Sequence, residues 1–196
     1  IKKETKVAKV VTFANVKGGS GKSTLCINMA AILVRTGYSV AIIDADQQKC
    51  SQDWITGTKD KLLSRVEIIE PVELKAAEDI EVDFLLIDTQ GSLTKEMAQF
   101  LFQSSLIITP CRASRDDIVG QGWIEVFLKQ SNQNIKKAPI LTVLNGVNKR
   151  SSILSHVIEQ LKEDGVQVAE TCISQRVCFA ETNVNKISVI GYNKHA

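Results

Sequence analysis

Val10-Val11-Thr12-Phe13-Ala14-Asn15-Val16-Lys17-Gly18-Gly19-Ser20-Gly21-Lys22-Ser23-Thr24 is the stretch whose reading decides the fold. It closes a β-branched apolar run, Val7 to Phe13, with a glycine-rich loop. Ser23 to Val34 then places apolar side chains at Leu25, Ile27, Ala30, Ala31 and Val34, the spacing of one helix face. Strand, glycine loop and helix in that order make an anion site. The glycines let backbone N–H groups turn inward, and the helix N-terminus adds partial positive charge. Lys22 follows the loop where it can reach outer phosphates, and the Ser23 hydroxyl can ligate Mg2+.

The same alternation continues outward. Val40 to Ile43 is a second apolar run that ends at Asp44 and Asp46, and a polar helix is expected around Gln52 to Leu63. Val66 to Ile69 follows, then a helix led by Pro71 to about Ala77, then Phe84 to Ile87 ending at Asp88. Leu106 to Ile108 stops at Pro110, residues 116 to 130 read as helix, and Ile140 to Leu144 as another buried strand. Ser151 to Glu163 is amphipathic, Val166 to Ile173 reads as the last strand, and Ile187 to Tyr192 as strand or extended chain. Near-continuous apolar strands separated by helices predict an α/β fold, a single doubly wound, mostly parallel sheet with helices on both faces. One domain spanning 1–196 is expected, with termini that are trimmed at one or both ends. Ligands of such sheets bind outside the carboxyl ends of the strands, where Lys17–Thr24, Asp44–Gln48 and Asp88–Gly91 fall.

Composition narrows the partners. The 196 residues are 44% hydrophobic and 23% charged, which excludes disordered, collagenous and coiled-coil chains. With 24 Lys+Arg against 22 Asp+Glu the net charge is +2, so nucleic-acid contact must come from a local patch. Five scattered cysteines without a C-x-x-C pair predict no disulfide framework and a reducing, cytoplasmic setting. No apolar run reaches the ~18–20 residues of a membrane span, so no membrane partner is expected.

The loop departs from the standard G-x-x-x-x-G-K-[ST] P-loop, with Val16, five residues before Gly21, where that pattern has glycine, and a second lysine, Lys17, leading it. The string KGGSGKST resembles the deviant Walker A loop of the ParA/MinD ATPases. That resemblance implies ATP and Mg2+ as cofactors, with Gly18, Gly19, Ser20, Gly21, Lys22, Ser23 and Thr24 around the phosphates. It further implies that Lys17 crosses an ATP-sandwiched homodimer to the partner's phosphates. Asp44-Ala45-Asp46-Gln47-Gln48 is similar to the family's D-x-D-P-Q element, with Gln47 in place of proline. By that likeness Asp44 and Asp88 join Ser23 in holding the metal, while Asp46 orients the attacking water, beside Lys17 and Lys22 as catalytic groups. Asp88-Thr89-Gln90-Gly91 likewise carries Gln90 where the family writes proline. Leu106 to Ile118 matches a further strand and loop more loosely, Asn145 falls where the family often has a base-contacting Asn, and Arg176 falls in the segment that closes its adenine pocket.

Within the family, a small ParA-type ATPase of plasmid or chromosome partition fits best. The resemblance then implies ATP-dependent dimerisation, nonspecific duplex DNA binding, association with the nucleoid, and hydrolysis stimulated by a ParB-like centromere-binding protein. Lys149, Arg150, Lys136, Lys137, Lys186 and Arg176 are the DNA candidates. A DNA-transfer-enhancing ATPase of a conjugation-like system, a MinD-like membrane-associated regulator, and a nucleotide switch with negligible hydrolysis remain alternatives. An iron-protein reading lacks matching cysteine contexts at Cys111 and Cys172.

Overall fold

A computed structural model describes residues 7–71, 80–130 and 138–192. In chain order the elements are β1 (Lys9–Phe13), α1 (Lys22–Arg35), β2 (Val40–Ala45), α2 (Cys50–Thr56) and, after a 3-10 turn at Leu63–Arg65, β3 (Glu67–Ile69). They continue through β4 (Phe84–Thr89), α3 (Lys95–Gln103), β5 (Leu106–Cys111), α4 (Arg115–Gln130), β6 (Ile140–Val147), α5 (Ser152–Glu163), β7 (Ile173–Ser174) and α6 (Val177–Asn185). Among the described residues the strands form one seven-stranded parallel sheet in the order β3-β2-β4-β1-β5-β6-β7, with helices around it. The apolar runs explain it: four of the five residues of β1, five of the six of β2 and five of the six of β4 are buried, as strands covered on both faces must be.

Contacts group the chain into two compact units. The first contains 7–11, 23–71, 80–88 and 177–192. In it β2 and β3 run parallel with Ala41 opposite Glu67, and α1 buries Cys26, Ile27, Ala30, Ala31 and Val34 along one face. The second contains 12–22, 89–130 and 138–176. Here β5 and β6 pair from Ile107 opposite Ile140 to Cys111 opposite Leu144, and α5 packs Leu154, Val157 and Leu161 with Cys111, Leu144 and Val147.

Several expectations shift. The polar helix expected around Gln52 to Leu63 is the shorter α2, because the Gly57 N–H already closes on the Asp53 and Ile55 carbonyls and ends it. β5 does not stop at Pro110 but runs through it to Cys111, and Asn15 Nδ2 donates to the Pro110 carbonyl at 2.6 Å. Val166 to Ile173 is not one strand: Val168 bridges Thr142 alone, and β7 begins at Ile173. Ile187 to Tyr192 contains no strand. Two helices went unread, α3 and α6; α3 carries a legible signal, the Thr94 hydroxyl that caps it by accepting from the Met97 N–H at 3.1 Å. The helix led by Pro71 falls mostly outside the described residues.

Candidate functional site

The glycine loop is held by side chains from β6 and from the segment after β5. Arg112 Nη2 donates to the Gly19 carbonyl at 2.7 Å, and Asn145 Nδ2 to the Ser20 carbonyl at 2.9 Å. No peptide bond here is cis, so each C=O points opposite to the N–H of its own peptide plane. Clamping those two carbonyls therefore aims the N–H groups of Ser20 and Gly21 away from Arg112 and Asn145, an arrangement that presents donors to an anion. Gly21 sits at φ 97°, and a Cβ there would lie 2.2 Å from Asn145 Nδ2, so both the backbone and the clamp require glycine.

The rest of the loop is equally fixed. Asn15 Oδ1 accepts from the Lys17 N–H at 2.9 Å, and Lys22 Nζ donates to the Lys17 carbonyl at 3.3 Å. Lys22 is buried, as is Ser20, whose hydroxyl has no hydrogen-bond partner among the described residues. Such a buried polar atom calls for a ligand or water. The Asp88–Gly91 segment leans on this loop at its far end: a Cβ on Gly91 would come 3.0 Å from the Gly18 nitrogen and 3.1 Å from the Lys17 carbonyl carbon. Burial pushes the Cys111 thiol up to about 12, with Asp117 adding to that rise and the Lys17 ammonium opposing it.

Asp44 and Asp88 lie in the other unit, at β2 and β4, and are 1% and 0% exposed. Asp44 Oδ1 accepts from the Asp46 N–H at 3.0 Å and Oδ2 from the Gln52 N–H at 2.9 Å. Asp88 Oδ2 accepts from the Ser51 hydroxyl. Asp46 Oδ1 accepts from the Gln48 N–H at 2.9 Å. The Cys26 thiol is raised well above its ordinary value by burial first, then by Asp88 and Asp44, so it stays protonated beside them. Ser23, Asp44 and Asp88 belong to the same unit and supply oxygen donors alone. Among the described residues no group of three His, Cys, Asp or Glu side chains is placed to hold a metal by itself. That donor set fits a Mg2+ that keeps waters and takes one or two carboxylates together with nucleotide phosphates.

The remaining sequence candidates separate. Val147, Asn148, Lys149, Arg150, Ser174, Gln175 and Arg176 line one cavity of about 500 Å3, which brings three cations together. Lys186 is engaged elsewhere, its Nζ on Asp53 Oδ1 at 2.9 Å. Lys136 and Lys137 lie outside the described residues. Thr24 is in the first turn of α1, where its carbonyl accepts from Asn28 Nδ2 at 2.8 Å. Arg112 and Ser51 were not singled out in the sequence; no local motif marks either.

A parallel sheet carrying this loop and these strand-end carboxylates defines a P-loop nucleotide-binding protein. The model of the CobQ/CobB/MinD/ParA nucleotide binding domain matches residues 11–189, and the chain belongs to that family. Among curated relatives, it is 26% identical over 183 residues to maintenance of carboxysome distribution protein A of Halothiobacillus neapolitanus, covering 90% of this chain and 84% of the relative. It is 22% identical over 179 residues to protein ParA of Rhizobium radiobacter, covering 87% and 80%. An ATP complex of McdA from Cyanothece has the same fold, with a TM-score of 0.78 at 16% identity over 94% of this chain and 90% of that one. Membership makes this chain a ParA-type nucleotide-binding protein, a nucleoside-triphosphate hydrolase by class.

Proposed function

We propose that the chain hydrolyses ATP with Mg2+ and uses its ATP-bound state to form a homodimer that serves DNA partition. The observation that carries this reading is the pair of clamped carbonyls at Gly19 and Ser20, which leaves the loop's N–H groups for phosphate. Lys22 balances charge on the outer phosphates, and Ser23, Asp44 and Asp88 are the residues that would hold Mg2+. Bound there, the ion supplies neutralisation of charge building on phosphate oxygens during transfer. Asp46 orients the attacking water, a role that asks for placement more than basicity. Its carboxylate is already aimed by the Gln48 N–H, although Gln47 replaces the family's proline.

Lys17 reaches the phosphates of the second copy in the dimer. Arg176 and Asn145 are assigned to the base side of the nucleotide, and Asn145 additionally holds the Ser20 carbonyl of the phosphate loop. The cations Lys149 and Arg150 are the DNA contacts this reading favours, since the two lie side by side on one cavity wall. Lys186 becomes a weaker candidate because Asp53 already engages it. A ParB-like centromere-binding protein would stimulate hydrolysis, and the ATP state would associate with the nucleoid. Among the described residues no helix is long and apolar enough to cross a membrane.

The test is ATP turnover with and without nonspecific duplex DNA, beside mass by light scattering in ADP and in a non-hydrolysable ATP analogue. The expected result is a mass that doubles with the analogue alone and a turnover that DNA raises several-fold. A monomer in both nucleotides whose turnover ignores DNA would overturn the partition reading.

A further inference from the structure

The turn between β2 and α2 is built in a way its sequence does not advertise. Lys49 takes φ 50° and ψ 37°, a left-handed conformation that costs a non-glycine residue about 1 kcal/mol. It is held there by its own side chain, whose Nζ donates to the Asp44 carbonyl at 2.7 Å and pairs with Glu70 at 3.8 Å. The result is that the first turn of α2 faces both strand-end carboxylates. Consecutive residues divide the work: the Gln52 N–H donates to Asp44 Oδ2, and the Ser51 hydroxyl donates to Asp88 Oδ2. Ser51 is fully buried.

The terminal torsion of an aspartate is a broad, soft rotor, so an isolated carboxylate at a strand end does not have one orientation. A donor fixed on one oxygen sets the direction of the other. We propose that Ser51 is a positioning residue that sets the rotation of the Asp88 carboxylate and couples α2 to it, so that α2 seats with Asp44 and Asp88 as one Mg2+-binding arrangement. The proposal deepens the ATP reading above and rests on it. Asp44 accepts from backbone N–H groups, which any residue at 52 other than proline provides, whereas the contact from α2 to Asp88 is made by the side-chain hydroxyl at 51.

Trp54 makes the proposal testable, because it lies buried in α2 three residues beyond Ser51. The chain's other tryptophan, Trp123, is 54% exposed on α4, and Trp123→Phe leaves Trp54 as the sole indole emitter. In that background, affinity for a fluorescent ATP analogue is measured in EDTA, and Trp54 emission is then followed as Mg2+ is titrated onto the ATP-loaded protein. With Ser51→Ala, the EDTA affinity should stay within about twofold and the Mg2+ midpoint of the Trp54 change should rise about tenfold, the scale of one hydrogen bond to a charged group. An unchanged midpoint would overturn the proposal. So would an equal loss of affinity with and without Mg2+, which would mark Ser51 as a packing residue only. If the parent binds no ATP in either condition, the ATP reading itself fails, an outcome separate from the other two.

Discussion

The glycine loop and the first turn of α2 solve the same problem by different means. Each holds a short irregular segment in one shape. At the loop, the conformation is written into residues 18–21, and Arg112 and Asn145 lock peptide planes that glycine already permits. At α2, Lys49 enters a left-handed conformation that its Cβ disfavours, and contacts from other parts of the chain keep it there. Asp53 takes Lys186 Nζ at 2.9 Å, the Thr58 hydroxyl donates to the Lys186 carbonyl, and Asp60 Oδ2 accepts from the Ser188 N–H at 2.8 Å. The loop thus takes a shape that glycine permits and two distant side chains lock, whereas the turn at α2 takes a disfavoured shape that its contacts must hold. The first should fail sharply on single substitutions; the second should fail by degrees.

The sharpest break is Gly21→Ala. The new methyl must displace the Asn145 amide and strain a backbone at φ 97°, so the clamp and the loop shape go together. ATP affinity by fluorescence titration should fall about a hundredfold, the combined effect of strain and a lost clamp. Affinity within a few-fold of the parent would show that the loop is not held by its own conformation. Asn145→Ala sharpens the point by removing the clamp while leaving glycine in place. It should cost about tenfold in ATP affinity, near 1.4 kcal/mol for one part-buried hydrogen bond, with little change in melting temperature. A large loss of stability with intact affinity would reassign Asn145 to packing.

This division also explains what the sequence could tell. β1, β2, β4 and most of β5 were legible because strands buried on both faces read as apolar runs, and the loop was legible because its chemistry is contiguous from Lys17 to Thr24; β6, also read as an apolar run, has only three of its eight residues buried. Asp44 and Asp88 were legible as polar residues abruptly ending such runs. Ser51 and Arg112 were not, because their significance lies in partners 37 and 93 residues away. α6 was missed for a related reason. Its apolar residues follow no core stripe, and Val177 and Val184 stay exposed, so it lacks the periodicity that marks α5. Asn145 shows the limit from the other side: the residue was picked out by likeness, yet its observed contact is with the loop backbone.

The smallest expected effect tests the other half of the comparison, at the packing of the segment that follows α2. Burial alone would raise the Asp60 carboxyl, but the Ser188 hydroxyl and amide and the Leu62 and Leu63 amides outweigh it and hold the group below its ordinary 3.8. A carboxylate lowered by folding contributes stability above its unfolded value and loses it as pH falls through the folded one. Asp60→Asn should therefore melt about 3 °C below the parent at neutral pH, the effect of roughly one hydrogen bond in a chain of this size. The gap should narrow as the pH falls from 3.8 and close once it passes the lower folded value, where the parent's carboxyl is protonated too. A gap that persists unchanged into acid would mean that shape and not charge joins Asp60 to Ser188. The segment after α2 would then be held by shape, as the glycine loop is, and the contrast between the two regions would narrow.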